Sequence, residues 1–500
     1  MSLTRRTALG LLVLGAAGSA SSCDSANAAA PTPAPPSRTP KLTNNAVTRE
    51  NALLGDSGWK VTGRPGEPDD VKRQIQGYAS RTSVNVGGAL DFHVSVAGSR
   101  AFTVSVYRLG HYGKKGGRKM LTSERLRGRE LPVPAADAKT GLIECDWPSA
   151  WTLHVPPNWV SGYYLAVFAT DDGHRSATPF VVREDQRRAD FLVVVPFSTY
   201  QAYNFWPADG KTAKNLYKGY TATGRLGGGD ERAFQVSFDR PYSGPGMPVW
   251  SNLDLAAVRW LESTGFDVAY VSSVDLHEQR VRPERHAGLL FPGHDEYWSR
   301  TMRDTVEDAV DGGTHLAFFA ANNIYWHIRF DAAGDGRRNR VVTCYKGTAD
   351  PDPDGNGATT TWRCVEEQAE QQLLGVQYNG ILADPVPLVV NESSHWFWAG
   401  AGVADGDTIP GLVAGEADGR NPKVKVPRAV RQTLLSQTAY EDRRGGTQVQ
   451  NTSLYETAKG TIVFAAGTFH WNLALIKSAY ADQRVRQATR NLLTRMLRDR

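Results

Sequence analysis

The chain has 500 residues, 41% hydrophobic and 22% charged, with 57 basic and 52 acidic side chains giving a formal net charge of +5. That length holds two or three domains with real cores. The basic excess is mild and no lysine or arginine block stands out, which argues against a nucleic-acid partner.

Arg5-Arg6 precede a run of small and apolar side chains over residues 8–20. The run is too short and too rich in small residues for a comfortable membrane span. The paired arginines mark residues 1–30 as a twin-arginine-type signal, so the chain reads as an exported bacterial protein, secreted or envelope-attached. Two processing routes stay open: lipidation at Cys23, or cleavage near Ala26-Asn27-Ala28. Residues 31–49 form a proline-rich linker, extended by composition. Three further cysteines follow. An oxidising compartment permits a disulfide. Cys344 and Cys364 flank the Gly- and Asp-rich loop at 350–357, so they are the expected pair, with three buried thiols as the alternative.

Residues 50–185 read as an antiparallel β-sandwich. Val84, Leu90, Phe92, Val94 and Val96 alternate with polar or small residues. Phe102, Val104 and Val106 do the same, and Gly and Pro turns separate the runs. The character changes near 190. Residues 191–195 are continuously apolar, as in a buried central strand. Residues 253–261 look helical, and strands are expected at 267–271, 288–291, 315–320 and 461–465. Residues 299–311 carry helical spacing between a Ser299 N-cap and a Gly312-Gly313 stop. Residues 472–500 read as a closing basic amphipathic helix. The α/β domain thus spans 190–500, with a β-rich insertion or cap at about 335–455.

Each of the five expected strands is followed by polar and aromatic side chains. They are Tyr200, Tyr203 and Asn204; Asp275 and His277; His294 to Trp298; Asn322 to His327; and His470 with Trp471. In a parallel sheet all five segments share the carboxyl edge, where α/β proteins place their sites. Any single aromatic there is as readily a packing residue under a loop, but Asp, Glu, His and Asn recurring at one topological position are harder to dismiss. No G-x-S-x-G elbow, H-E-x-x-H pair or convincing glycine-rich phosphate loop is present. No cysteine is placed as a nucleophile. What remains is an oxygen- and nitrogen-donor metal site drawn from His294, Asp295, Glu296, Tyr297, Tyr325, His327 and His470. The plainer reading is that Asp295 and Glu296 only favour the N-terminus of the helix after them.

The run Gly293-His294-Asp295-Glu296-Tyr297-Trp298-Ser299 is followed by Asn322-Asn323-Ile324-Tyr325-Trp326. Residues 196–204 (PFSTYQAYN), 237–241 (SFDRP) and 461–471 (TIVFAAGTFHW) accompany them. Together they resemble the large (beta) subunit-like family of N,N-dimethylformamidase over most of residues 75–475. The resemblance implies a glutamine-amidotransferase-like α/β domain without a cysteine nucleophile. It implies hydrolysis of a small amide, and a mononuclear iron held by two tyrosines and a glutamate. Tyr297 and Tyr325 are the ligands it suggests. No acidic residue precedes Trp362-Arg363, where the glutamate was expected, so the third ligand stays unassigned.

In that scheme His294 or Glu296 is the general base, and Asn323 or His327 steadies the oxyanion. His470 joins the catalytic set. Tyr200, Tyr203, Asn204, Trp298, Trp326 and Trp471 line the substrate. The expected substrate is a small amide or envelope compound, and the expected partner a small accessory subunit or a second copy. The competing class is a non-catalytic envelope or carbohydrate-binding protein that uses the aromatic edge as a contact surface.

Overall fold

The computed structural model describes residues 44–498 except 64, 348–349, 353–357, 365–367 and 477–478. The expected signal, with Arg5, Arg6 and Cys23, lies outside the described residues, as do most of the linker and part of the 350–357 loop. All described residues belong to one unit, Ser37–Arg500. The architecture is mixed α/β, with several sheets and helices. Among the described residues no helix is long and apolar enough to cross a membrane.

The first half is built from two sheets. One pairs Ile75–Ala79, Ala89–Val96 and Trp151–His154. The other is six-stranded and centres on Ala101–Leu109, Gly162–Thr170 and Arg175–Arg183. Alternation decides which side chains turn inward: in Ala89–Val96, Leu90, Phe92, Val94 and Val96 are buried, the period of two that a pleated strand imposes. Both sheets feed one core. In it the Phe92 ring meets Phe168 and Phe180 edge-on at 5.9 and 5.6 Å, a favoured aromatic geometry.

The second half is organised by a seven-stranded sheet. Its order is Val268–Ser272, Phe191–Val195, Gly288–Phe291, His315–Phe318, Ile462–Ala465, Ser453–Glu456 and Arg431–Leu434. The first five are parallel. They are buried along their whole length, which is why their sequences are apolar runs and not alternations. Ser453–Glu456 then pairs antiparallel with Ile462–Ala465, and Arg431–Leu434 pairs antiparallel with Ser453–Glu456. These last two strands come from the stretch expected to be an insertion and instead extend this sheet. The helix Arg300–Asp311 buries Met302, Val306, Ala309 and Val310, and the Ser299 hydroxyl accepts from the Met302 amide at 3.3 Å. The expected closing helix is two helices, Trp471–Leu475 and Gln483–Arg498.

A buried ion pair ties the halves together. Arg108 donates to both oxygens of Glu262 at 2.8 Å and to the Ser161 carbonyl at 2.9 Å, and both charged side chains are fully buried. The expected Cys344–Cys364 disulfide is absent: Cys344 is buried, Cys364 is exposed, and both thiols are free. The fold carries Cys344 inward, where Sγ faces the His327 and Thr359 carbonyls at 3.8 and 4.0 Å.

Candidate functional site

The strand Gly288–Phe291 ends in Pro292-Gly293, and the backbone then carries His294, Asp295 and Glu296 across the carboxyl edge of the sheet before pairing again at Tyr297–Ser299. Gly293 is required here. A Cβ on it would sit 2.2 Å from Asp254 Oδ1.

Glu296 is the hub. Tyr203 Oη donates to its Oε2 at 2.7 Å, and Tyr217 Oη lies 2.8 Å from both oxygens. His294 Nε2 is 3.2 Å from Oε2, and Asn322 Nδ2 donates to Oε1 at 3.3 Å. Asn322 also donates to Glu416 Oε2 at 2.8 Å, and His294 Nε2 lies 3.7 Å from that same oxygen. The Tyr203 and Tyr217 rings stack at 4.6 Å. Lys346 Nζ is 3.3 Å from the Tyr217 ring centre, 4.5 Å from Trp326 and 5.3 Å from Tyr297, a cation–π cage. Phe469 at 4.7 Å and Trp250 at 6.4 Å form an aromatic wall against His294.

The group lies just under the surface. Glu296 is 2% exposed and His294 1%, while Tyr203, Tyr217, Lys346 and Glu416 are half-buried and Trp250 is exposed.

Charges here compensate one another. Burial alone would raise the Glu296 carboxyl, but the bond and charge of His294, then Lys346 and Tyr203, more than offset it and hold the group low. Burial acts oppositely on His294; the Glu416 charge and the Glu296 bond overcome it and lift the imidazole to about 9. Burial brings Lys346 down to about 8. Burial, and then the Glu296 charge, keep the Tyr203 and Tyr217 phenols protonated well past their usual range. Behind the group, burial raises Asp254 to about 7 and Asp295 to about 8, and the Asp254 charge adds to the second shift.

The backbone around the group is strained. Trp250, Asn322, Ile324 and Lys346 have φ of 69°, 51°, 57° and 58°. Asn tolerates the left-handed region, but a β-branched isoleucine there is an outlier. Such conformations cost about 1–3 kcal/mol each and gather where function fixes geometry.

Of the residues expected from the sequence, Tyr203, His294, Glu296, Tyr297 and Trp326 come together here. The Tyr297 ring lies 6.3 Å from both Tyr203 and Tyr217, and its hydroxyl is buried without a hydrogen-bond partner among the described residues. Tyr325 packs beside them on Trp326 and Tyr378, under Arg363. Asn323 Oδ1 accepts from the Asp295 amide at 3.1 Å and so braces the loop.

Others make different bonds. His327 packs tilted against Trp362 and faces the Ala358 carbonyl. His470 faces the Gly411 carbonyl and the Tyr480 ring. Tyr200 donates to Asp254 at 2.7 Å, and Asn204 donates to the Pro241 carbonyl. His277 meets the Ser299 hydroxyl. Trp298 packs against Phe291 and Phe318, and Trp471 against Phe397 and Phe464.

Tyr217, Lys346 and Glu416 carry no mark in the sequence, and Asn322 stood in a polar run without a role. Glu416 reaches the edge because the next residue, Ala417, bridges to Thr468 after the Ile462–Ala465 strand.

Among the described residues no group of three His, Cys, Asp or Glu side chains is set to hold a metal ion. The oxygens that converge are instead two phenols and one carboxylate, Tyr203, Tyr217 and Glu296. These are hard donors that suit a first-row or other hard cation once the phenols ionise. A bound cation would itself lower the phenol pKa values.

Residues 103–483 match the family model described as N,N-dimethylformamidase beta subunit-like, C-terminal. The N,N-dimethylformamidase beta subunit of Paracoccus aminophilus is 24% identical over 285 residues, 49% of this chain and 37% of that protein. The matched part is thus little more than a third of the relative's length. A cycloisomaltooligosaccharide glucanotransferase from Paenibacillus sp. aligns over 63% of this chain and 61% of its own at 8% identity, with a TM-score of 0.16, too low to bear on the fold.

Proposed function

The chain belongs to the N,N-dimethylformamidase beta subunit-like family, and from that premise we propose that it is a hydrolase of the carbon–nitrogen bond of small amides, centred on Glu296 and assisted by iron. The observation that carries the reading is the meeting of two phenol oxygens and one buried carboxylate within 2.8 Å, with an imidazole bonded to the same carboxylate. Two tyrosines and a glutamate are the ligand set that family resemblance implies. On this reading the ligands are Tyr203, Tyr217 and Glu296; Tyr297 walls the site, and Tyr325 packs behind it.

When bound, such a metal supplies Lewis acidity toward a carbonyl oxygen and acidifies water. The chain's own residues do the rest. His294 Nδ1, 3.2 Å from the Ala321 carbonyl, donates there and fixes the ring, leaving Nε2 to face the reaction. With its pKa at about 9, the ring is an imidazolium at neutral pH, so Nε2 gives its proton to the departing nitrogen and regains one from the attacking water. Glu416, 3.7 Å from Nε2, stabilises the imidazolium before and after that exchange. Asn322 Nδ2 spans the two carboxylates and keeps them apart. Lys346 offsets the local negative charge, and its aromatic cage holds it in place. Trp250 and Phe469 exclude water on one side and offer an apolar wall to short N-alkyl groups.

Export by the twin-arginine route belongs to the same proposal, since that route carries folded proteins with their cofactors in place. So does reading the two N-terminal sheets as a β-sandwich and the parallel sheet as amidotransferase-like.

The test is amine release from a panel of formamides and acetamides. Wild type is expected to turn over at least one small amide. His294→Ala is expected to lower kcat by about 10²-fold or more, the scale of lost acid–base catalysis, with KM little changed. No turnover across the panel by metal-loaded wild type removes the reading.

A further inference from the structure

A second cleft lies away from the Glu296 group, with a volume of about 730 Å³, within the range that holds a small ligand. Three separate parts of the chain form it: the turn at 80–85, the region of Arg183 and Asp185 with the helix Ser273–His277, and the loop at 337–340. Six arginines line it, Arg81, Arg183, Arg280, Arg337, Arg338 and Arg340, against three carboxylates, Asp185, Asp275 and Glu278.

The carboxylates are already engaged. Arg183 holds Asp185 at 2.9 Å and Asp275 at 2.8 Å. Arg280 holds Glu278. Arg337 and Arg340 share one aspartate from outside the lining, Asp239, at 3.0 and 2.7 Å, and Arg337 also meets Asp335. Arg81 and Arg338 are exposed and have no ion pair among the described residues. The lining therefore carries more guanidinium charge than its carboxylates neutralise. Guanidinium forks match the planar oxygens of phosphate and carboxylate. The Ser80 hydroxyl lies on the same wall, where Asn339 is already given to Glu278 and Thr82 to Ser272.

We propose that this cleft binds a small ligand with clustered negative oxygens, of the diphosphate or polycarboxylate class, and that Arg81 and Arg338 are its free anchors. The ordered pairs around Arg183 and Arg340 give the wall its shape, while the two unpaired arginines close on the anion. Function at Glu296 is not required for this binding.

The probe is pyrophosphate, with citrate as a second arm, titrated calorimetrically into the full chain at low ionic strength. Wild type is expected to bind at least one of them saturably, one per chain, and more weakly as salt is added. Arg81 and Arg338 are solvent-facing, so the double variant Arg81→Ala/Arg338→Ala is expected to stay folded and bind about tenfold more weakly, the scale of two lost charge-assisted contacts. Arg225→Ala, exposed elsewhere, is expected to bind like wild type. Tight binding of one probe alone assigns its chemistry. No saturable binding of either probe to wild type, or equal binding by the double variant, overturns the proposal.

Discussion

Gly293 and Asp254 show how finely the site is set at the scale of single residues. The Asp254 carboxyl fills the space a side chain at 293 would need, so Gly293→Ala is expected to cost about 1–3 kcal/mol by overpacking, seen as a lower urea midpoint. Asp254 makes a second expectation. Burial lifts its folded pKa to about 7, above the unfolded value near 3.9. The folded state therefore binds the extra proton between those values. Stability falls as pH rises through about 4 to 7 and then levels off, by up to about 4 kcal/mol. Asp254→Asn keeps a partner for Tyr200 and removes the titration, so its stability should be flatter over that window. Parallel pH profiles of variant and wild type, from urea midpoints at pH 5 and 8, would contradict this. His294 and Glu296 were legible in the sequence because they directly follow an apolar strand. Tyr217, Lys346 and Glu416 were not, because long-range pairing delivers them and no local pattern records that.

Elements were legible where burial imposes a pattern. The five parallel strands are apolar runs, and the Arg300–Asp311 helix has a stripe, a cap and a stop. The helix Phe197–Tyr203 buries six of its seven residues, so it shows no stripe and was not read as a helix. Strands Arg431–Leu434 and Ser453–Glu456 are four residues each and only partly apolar, too short to announce membership of the central sheet. The disulfide expectation failed because sequence proximity around a loop does not fix the inward direction Cys344 takes. The link between the halves carries its own expectation. Glu262→Ala would leave the Arg108 guanidinium buried without its counter-charge, a loss of about 3–5 kcal/mol. Chemical unfolding measures it, and a loss under about 1 kcal/mol would mean the pair is not holding the two halves together.

For the whole molecule, strands of the central sheet bring positions 203, 294–297 and 322 to one edge, and a loop and two smaller sheets add 217, 346 and 416. The Arg-lined cleft is built by other segments, so the two regions are open to independent tests. The account turns on whether Tyr203, Tyr217 and Glu296 act as a ligand set or only as a hydrogen-bonded cluster. The most direct measurement is elemental analysis of the full chain isolated from an export-competent host, with a visible spectrum. The account predicts about one iron per chain with a phenolate charge-transfer band, both lost in folded Tyr217→Phe and Glu296→Gln and both kept in His470→Ala. Metal-free wild type that stays colourless when supplied with iron, or metal retained undiminished in both site variants, would contradict it.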